Sequence, residues 1–353
     1  MKKRNWSQIL LFCSAVALVI SACNPDDNSN STDVVVPDTL PFAVPSNFPE
    51  PVYRFTNNRY SEEGFQLGRM LFYEPILSRD STISCATCHK SYAAFTDPTH
   101  PVAHGIDHLS GTRNAPPIFN AIWQKTLFWD GGVAHLETLP VAPLTNPVEM
   151  DIQLAEVVRR LNQSSFYKPK FQAVFKKDTV DSQQILYAFA QFMGAIVSGN
   201  SRYDKYVRKE GEQLTDTELA GLTLVKNKCG GCHNTELFTD QSYRNNGLDA
   251  TFTDVGRQRI SLDNNDLGKF RVPSLRNLSY TKPYMHDGRF NKISEVLDHY
   301  AAGVLASATL DPLLQQKGVL GIPLTDDEKT KITAFLKTLD DSDLVKNKRY
   351  TQP

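Results

Sequence analysis

Two thiols and an imidazole recur at one spacing in this chain, first at Cys85-Ala86-Thr87-Cys88-His89 and again at Cys229-Gly230-Gly231-Cys232-His233. CxxCH is the attachment pattern of a c-type haem. The two sulfurs bond covalently to the porphyrin edge, and the histidine, carried on the same turn, is placed under the iron as an axial ligand. A bare CxxC also serves zinc sites and thioredoxin-like redox pairs, so the histidine that follows both times carries the assignment. A disulfide within either pair would close a strained two-residue loop. The expectation is one covalently bound c-type haem at each motif.

The rest of the composition limits what such a protein can be. At 353 residues the chain is long enough for two domains, each burying its own core. A formal net charge of -1 with no Lys/Arg block gives nucleic acid no footing. Hydrophobic residues at 41% fit a folded globular protein. Four of the six cysteines belong to the motifs, and the other two lie near the start. Lys2, Lys3 and Arg4 precede the apolar run Ile9 to Ile20, which at about 12 residues is too short to span a bilayer and reads as a signal-peptide core. The run contains Cys13 and closes on Ile20-Ser21-Ala22-Cys23.

That closing segment resembles the lipobox of bacterial lipoproteins. It implies a signal peptide over 1–22 and a lipidated Cys23 as first mature residue, an ordinary signal peptide with an incidental Cys23 being the alternative. The expected location is the cell envelope, on the periplasmic side, with the lipid as the only membrane attachment and Asn24 compatible with outer-membrane sorting. Export fits haem attachment, which bacteria complete outside the cytoplasmic membrane, and leaves no spare cysteine pair for a disulfide.

Residues 23–47 are rich in Asn, Asp, Ser and Thr and then in Pro, and read as a flexible tether. Packing of its second half on the domain as an ordered arm is the alternative. Ser61 to Tyr73 reads as a helix capped by Ser61 and stopped by Pro75. The loop Ile76 to Ser84 then delivers the chain to Cys85, and Thr215 to Lys228 does the same for Cys229. Phe95-Thr96-Asp97 follows the first motif and Phe238-Thr239-Asp240 the second, so helix, CxxCH and FTD occur twice. Gln183 to Val197 and Thr325 to Leu339 read as closing helices. The expected fold is all-α, with two cytochrome-c-like domains over 48–205 and 206–353, and a charged boundary stretch near Ser201 to Glu212.

Words around the motifs carry a closer likeness. Leu77-Ser78-Arg79-Asp80, Ser84 to His89, Phe95-Thr96-Asp97, Arg113-Asn114-Ala115-Pro116, Phe128-Trp129-Asp130-Gly131, Glu149-Met150, Val272 to Asn277 and Pro283 to Gly288 resemble the bacterial di-haem cytochrome c peroxidases and their MauG-like relatives. The match extends over nearly everything after residue 50. The resemblance implies that the N-terminal haem is peroxidatic, with His89 as proximal ligand and His104 as a removable second ligand, His100 and His108 being the rivals.

It also implies Glu149 as the catalytic carboxylate and Trp129 as the indole between the haems. Peroxide cleavage needs a group that moves a proton between the two oxygens, which a carboxylate supplies. A plain helix-start charge is the bland reading of Glu149, and core packing that of Trp129. The second haem would be held by His233, with Tyr300 as sixth ligand and Met285 as its rival. A thioether raises the potential, whereas a phenolate lowers it. By the same resemblance a calcium ion would take the Asn114 side chain and the Thr281 and Pro283 carbonyls, oxygen donors of the hard type.

Three functions compete. The first is reduction of hydrogen peroxide at the His89 haem, fed through the His233 haem by a small electron-donor protein of cytochrome c or cupredoxin type. The second is a MauG-like oxidation of a partner protein, which Tyr300 favours and His104 opposes. The third is a di-haem electron-transfer module without chemistry of its own. Whether the chain pairs as a homodimer is open in all three.

Overall fold

The computed structural model describes Leu40 and residues 42–353. The expected signal peptide, the Cys23 anchor and most of the expected tether lie outside the described residues. Helix accounts for 41% and strand for 5%, as expected of an all-α chain. No described helix is long and apolar enough to cross a membrane.

The internal repeat is built from one packing device used twice. Helix Glu62–Phe72 crosses helix Ser182–Gly194 where a Cβ on Gly68 would fall on the Ala188 carbonyl. Helix Asp216–Leu224 crosses helix Asp326–Thr338 where a Cβ on Gly221 would fall on the Lys331 carbonyl. Only glycine lets the backbones approach this closely. Four residues beyond each carbonyl stands a fully buried phenylalanine, Phe192 or Phe335, and each takes the ring of an FTD phenylalanine. The Phe95–Phe192 centroids are 6.3 Å apart and the Phe238–Phe335 centroids 5.8 Å. Sequence and structure agree closely on these helices because their starts are capped. Ser61 accepts from the Gly64 amide at 2.9 Å, and Thr215 with Glu218 and Thr325 with Glu328 close capping boxes.

One large hydrophobic cluster surrounds Phe65, Phe72, Phe95 and Phe192, and a smaller one surrounds Tyr203, Phe238 and Phe335. Phe42, near the end of the expected tether, and Phe48, just beyond it, lie 6.0 and 5.3 Å from the Trp123 ring. The last residues of the chain return to the larger cluster. Tyr350 donates its hydroxyl to the Ala195 carbonyl at 2.9 Å, while Arg69 donates to the Thr351 carbonyl at 2.7 Å.

The stretch expected as a charged boundary is itself ordered. It carries helix Arg202–Val207, started by a capping box between Ser201 and Asp204. Asp204 and Arg276 form a bidentate pair at 2.8 Å with no side-chain exposure. Arg276 also donates to the Glu236 carbonyl and lies 4.5 Å from the Phe48 ring. Its neighbour Asn277 donates to Ser198 Oγ at 2.8 Å and accepts from the Asp341 amide at 2.8 Å. The Leu275-Arg276-Asn277 word is therefore a fastening, joining the segment 198–204 to the second half of the chain.

Burial pushes the Asp204 carboxyl up, but the hydrogen bonds and charge of Arg276 outweigh it and hold it below the usual carboxylate range. A carboxyl with a depressed folded pKa stabilises above its unfolded value and loses that contribution as pH falls through the folded one. Asp204→Ala, which leaves Arg276 buried and unpaired, should cost about 3–5 kcal/mol in denaturant unfolding. Its stability should also fall less steeply than wild type on acidification below about pH 5.

Candidate functional site

The loop that presents Cys85 is held from both sides. Ser78, fully buried, accepts from the Thr82 and Ile83 amides at 3.1 and 3.0 Å. From helix Leu154–Gln163, Arg160 donates to the carbonyls of Ile76, Ser78 and Arg79 at 2.7–2.9 Å. A helical turn Cys85–Cys88 follows, with the His89 amide bonded to the Cys85 carbonyl at 3.0 Å. In the second half a π-helical turn, Val225–Cys229, leads into the motif, and the His233 amide bonds to the Cys229 carbonyl at 2.9 Å.

Both histidines have the same outer partner. His89 Nδ1 lies 2.9 Å from the Phe95 carbonyl and His233 Nδ1 lies 3.1 Å from the Phe238 carbonyl. A carbonyl can only accept, so Nδ1 carries the proton and Nε2 keeps its lone pair, the tautomer a metal ligand needs. Burial pulls both imidazoles below the ordinary histidine range, which keeps them neutral. Within the FTD words, Asp97 and Asp240 lock the turns, Asp97 through Lys90 at 2.6 Å and Asp240 through Arg244 at 2.8 Å.

A cavity of about 740 Å³ opens above the first motif, lined by Cys85, Cys88, His89, His104, Trp129 and Glu149. Of the three candidate second ligands only His104 lines it. His100 is exposed and bonded to Asp97 at 2.9 Å, and His108 is exposed. His104 Nδ1 bonds the Val102 carbonyl at 3.0 Å, which leaves Nε2 available. The Ile106 amide donates to the Glu149 carbonyl at 2.8 Å, and at Gly105 a side chain would collide with the Val148 and Glu149 carbonyls. The His104 loop and the Glu149 loop are thus joined by their backbones.

Glu149 stands in a loop five residues ahead of helix Leu154–Gln163, so its reading as a helix-start charge has no support. Asn146 donates to its carboxyl at 2.7 Å, while burial pushes that carboxyl above the ordinary glutamate value. Trp129 is buried and donates its indole N–H to the Asn114 carbonyl at 2.9 Å. The Asn114 amide donates to the His286 carbonyl at 2.7 Å, which sets Asn114 against the segment that carries Thr281 and Pro283.

In the second half Asn246 Nδ2 lies 3.5 Å from Met285 Sδ, and the same amide draws the Tyr300 phenol down against the larger effect of burial. Tyr300 sits on a second π-helical turn, His299–Gly303, and burial pushes its phenol up to about 12. Single π turns are frequent at functional positions.

Sequence reasoning gave no role to a charged cluster on the cavity wall. Arg113 donates to both Asp254 oxygens at 2.6 and 2.7 Å and to Asp130 at 2.6 Å, and its guanidinium lies 5.5 Å from the Phe270 ring. The Phe270 ring stacks on His286 at 3.7 Å. Arg113 stands in one of the quoted words, but its partners lie 17 and 141 residues away and leave no local signature.

The residues at both motifs suit a haem. The cavity has the size of a site for a flat organic cofactor, with apolar walls from Phe72, Leu127, Phe189 and Met193. Burial pushes the Cys85 thiol up to about 12 and the other three to about 11, so they stay protonated. Among the described residues no three His, Cys, Asp or Glu side chains converge to hold a metal.

Comparison with known proteins agrees. Residues 62–212 match the family model described as di-haem cytochrome c peroxidase. The chain is 30% identical to the methylamine utilization protein MauG of Methylophilus methylotrophus over 86% of its own length and 89% of the relative's. It is 33% identical to the cytochrome c551 peroxidase of Nitrosomonas europaea, over 78% of this chain and 79% of that one. A crystal structure of a MauG-like protein associated with microbial copper homeostasis superposes with a TM-score of 0.82 at 34% identity, covering 89% of this chain and 99% of the other. With two CxxCH motifs on a duplicated helical scaffold and relatives of both kinds, this chain belongs to the di-haem cytochrome c peroxidase and MauG-like family, and is a peroxidase-type oxidoreductase.

Proposed function

We propose that this protein reduces hydrogen peroxide to water at the His89 site, with electrons delivered through the His233 site. Cys85 and Cys88 hold one haem c and Cys229 and Cys232 the other, in two cytochrome-c-like domains over 48–205 and 206–353. When bound, the haems supply the iron redox chemistry that takes two electrons to the peroxide. The single observation that supports the reading most is Glu149, a carboxyl raised by burial and oriented by Asn146 on the wall of the cavity that also holds His89 and His104.

Glu149 takes a proton from one peroxide oxygen and returns it to the other, which then leaves as water. His104, with Nε2 free on the cavity wall, would be the removable second ligand of the haem iron. Trp129, on the same wall, offers an aromatic path for electrons. The balance is one peroxide, two electrons and two protons to two waters. The donor is a small redox protein, and the chain works in the cell envelope, anchored through Cys23. Calcium bound by Asn114, Thr281 and Pro283 would fix the Asn114–Trp129 bond from behind.

One observation favours a second reading. Tyr300 lies half-buried on the π-helical turn His299–Gly303, and a phenolate ligand there lowers the potential and suits high-valent iron. With it the same two sites would use peroxide to oxidise residues of a partner protein, as a MauG-like oxidase does.

Glu149→Gln should slow peroxide-driven reoxidation of the reduced protein by about 10²–10⁴-fold in stopped-flow absorption, and reoxidation at wild-type speed would remove Glu149 from the proton transfer. The resting ferric protein should show two low-spin haems by EPR if His104 is bound, and a high-spin signal would instead favour the oxidase reading. Tyr300→Met should raise the midpoint potential of one haem in spectroelectrochemical titration; an unchanged midpoint excludes Tyr300 as ligand.

A further inference from the structure

Two arginines are buried among the described residues, Arg271 and Arg276. Arg276 has the Asp204 carboxylate. Arg271, 7% exposed, has none. Its one side-chain hydrogen bond runs from Nε to the Phe128 carbonyl at 3.3 Å, and its two terminal nitrogens have no acceptor among the described residues. A guanidinium carries five N–H donors and does not give up its proton, so burial without an anion is costly. Desolvation accordingly pulls its pKa down to about 10.

The backbone that carries this side chain is held in place. Phe270–Arg271 pairs antiparallel with Tyr243–Arg244, and the Arg271 amide donates to the Trp129 carbonyl at 2.7 Å. Arg271 forms part of the wall of the 740 Å³ cavity. The carboxylates on that wall are already engaged. Asp254 is bonded to Arg113, Asp249 and Asp287 to Arg289, and Glu149 to Asn146. The missing anion must therefore come with whatever fills the cavity.

We propose that Arg271 is the carboxylate anchor of this cavity, binding a propionate of the haem attached at Cys85 and Cys88. This rests on the haem reading above and adds to it a positioning residue outside both CxxCH motifs. The planar fork of a guanidinium matches a carboxylate better than any other side chain does. Because the same residue bonds Trp129 through its backbone, the anchor also fixes the macrocycle relative to the indole. Its positive charge, in a site of low dielectric, favours the reduced iron.

The test uses the full-length holoprotein. A pyridine haemochrome assay should count two haems per chain in wild type and in Arg271→Gln, since the thioether bonds do not involve Arg271. Spectroelectrochemical titration of Arg271→Gln should show one midpoint lowered by at least about 59 mV, a tenfold loss in the one-electron reduction constant, with the other unmoved. Two unmoved midpoints, or an equal shift of both, would overturn the proposal while leaving the di-haem reading intact. A wild-type protein lacking haem at Cys85 and Cys88 would overturn both. If Arg271→Gln does not accumulate, Arg271→Lys carries the test through resonance Raman. A shifted propionate-bending band supports the anchor and an unshifted band refutes it, because a merely structural role would lower stability without touching that vibration.

Discussion

The hydrogen bond from each CxxCH histidine to a phenylalanine carbonyl is the constraint on which the rest of the structure depends. Phe95 and Phe238 each serve twice, with the ring in the core against Phe192 or Phe335 and the carbonyl on the imidazole. Packing of the helices thereby sets the orientation and tautomer of the would-be ligands. The glycine crossings at Gly68 and Gly221 bring the helices close enough for that packing, and the FTD aspartates close the turn behind it. The two CxxCH imidazoles are thus fixed by the hydrophobic core acting through a backbone carbonyl.

On this shared scaffold the two halves differ in the candidate side chains that accompany the CxxCH motif. The first half supplies a roomy cavity with Glu149 and His104 on loops joined by the Ile106–Glu149 backbone bond. The second supplies the half-buried Tyr300 on a π-helical turn, and Met285 against the Asn246 amide. On the proposed reading the first of these would admit a small oxidant, while the second would close a coordination sphere.

Much of this was legible in the sequence, for local reasons. CxxCH and FTD are short words whose partners lie within ten residues, and the helix starts carry capping residues at Ser61, Thr215 and Thr325. What escaped was long-range. Asp204 and Arg276 are 72 residues apart, so the helix Arg202–Val207 read as a charged boundary and the arginine as one letter of a family word. Arg271 and Arg113 escaped likewise, since nothing adjacent reveals that a charge will be buried. The strands Tyr243–Arg244 and Phe270–Arg271 are two residues each, too short for any alternation to register.

The return of the chain end to the larger cluster has an architectural consequence. Tyr350 and Leu344 complete a core begun by Phe65, so a segment that follows the second repeat seals the half that was synthesised first. Recombination that exchanged the second repeat for a foreign cytochrome would strip that seal from the first, and the duplicated halves are consequently bound to evolve as a pair.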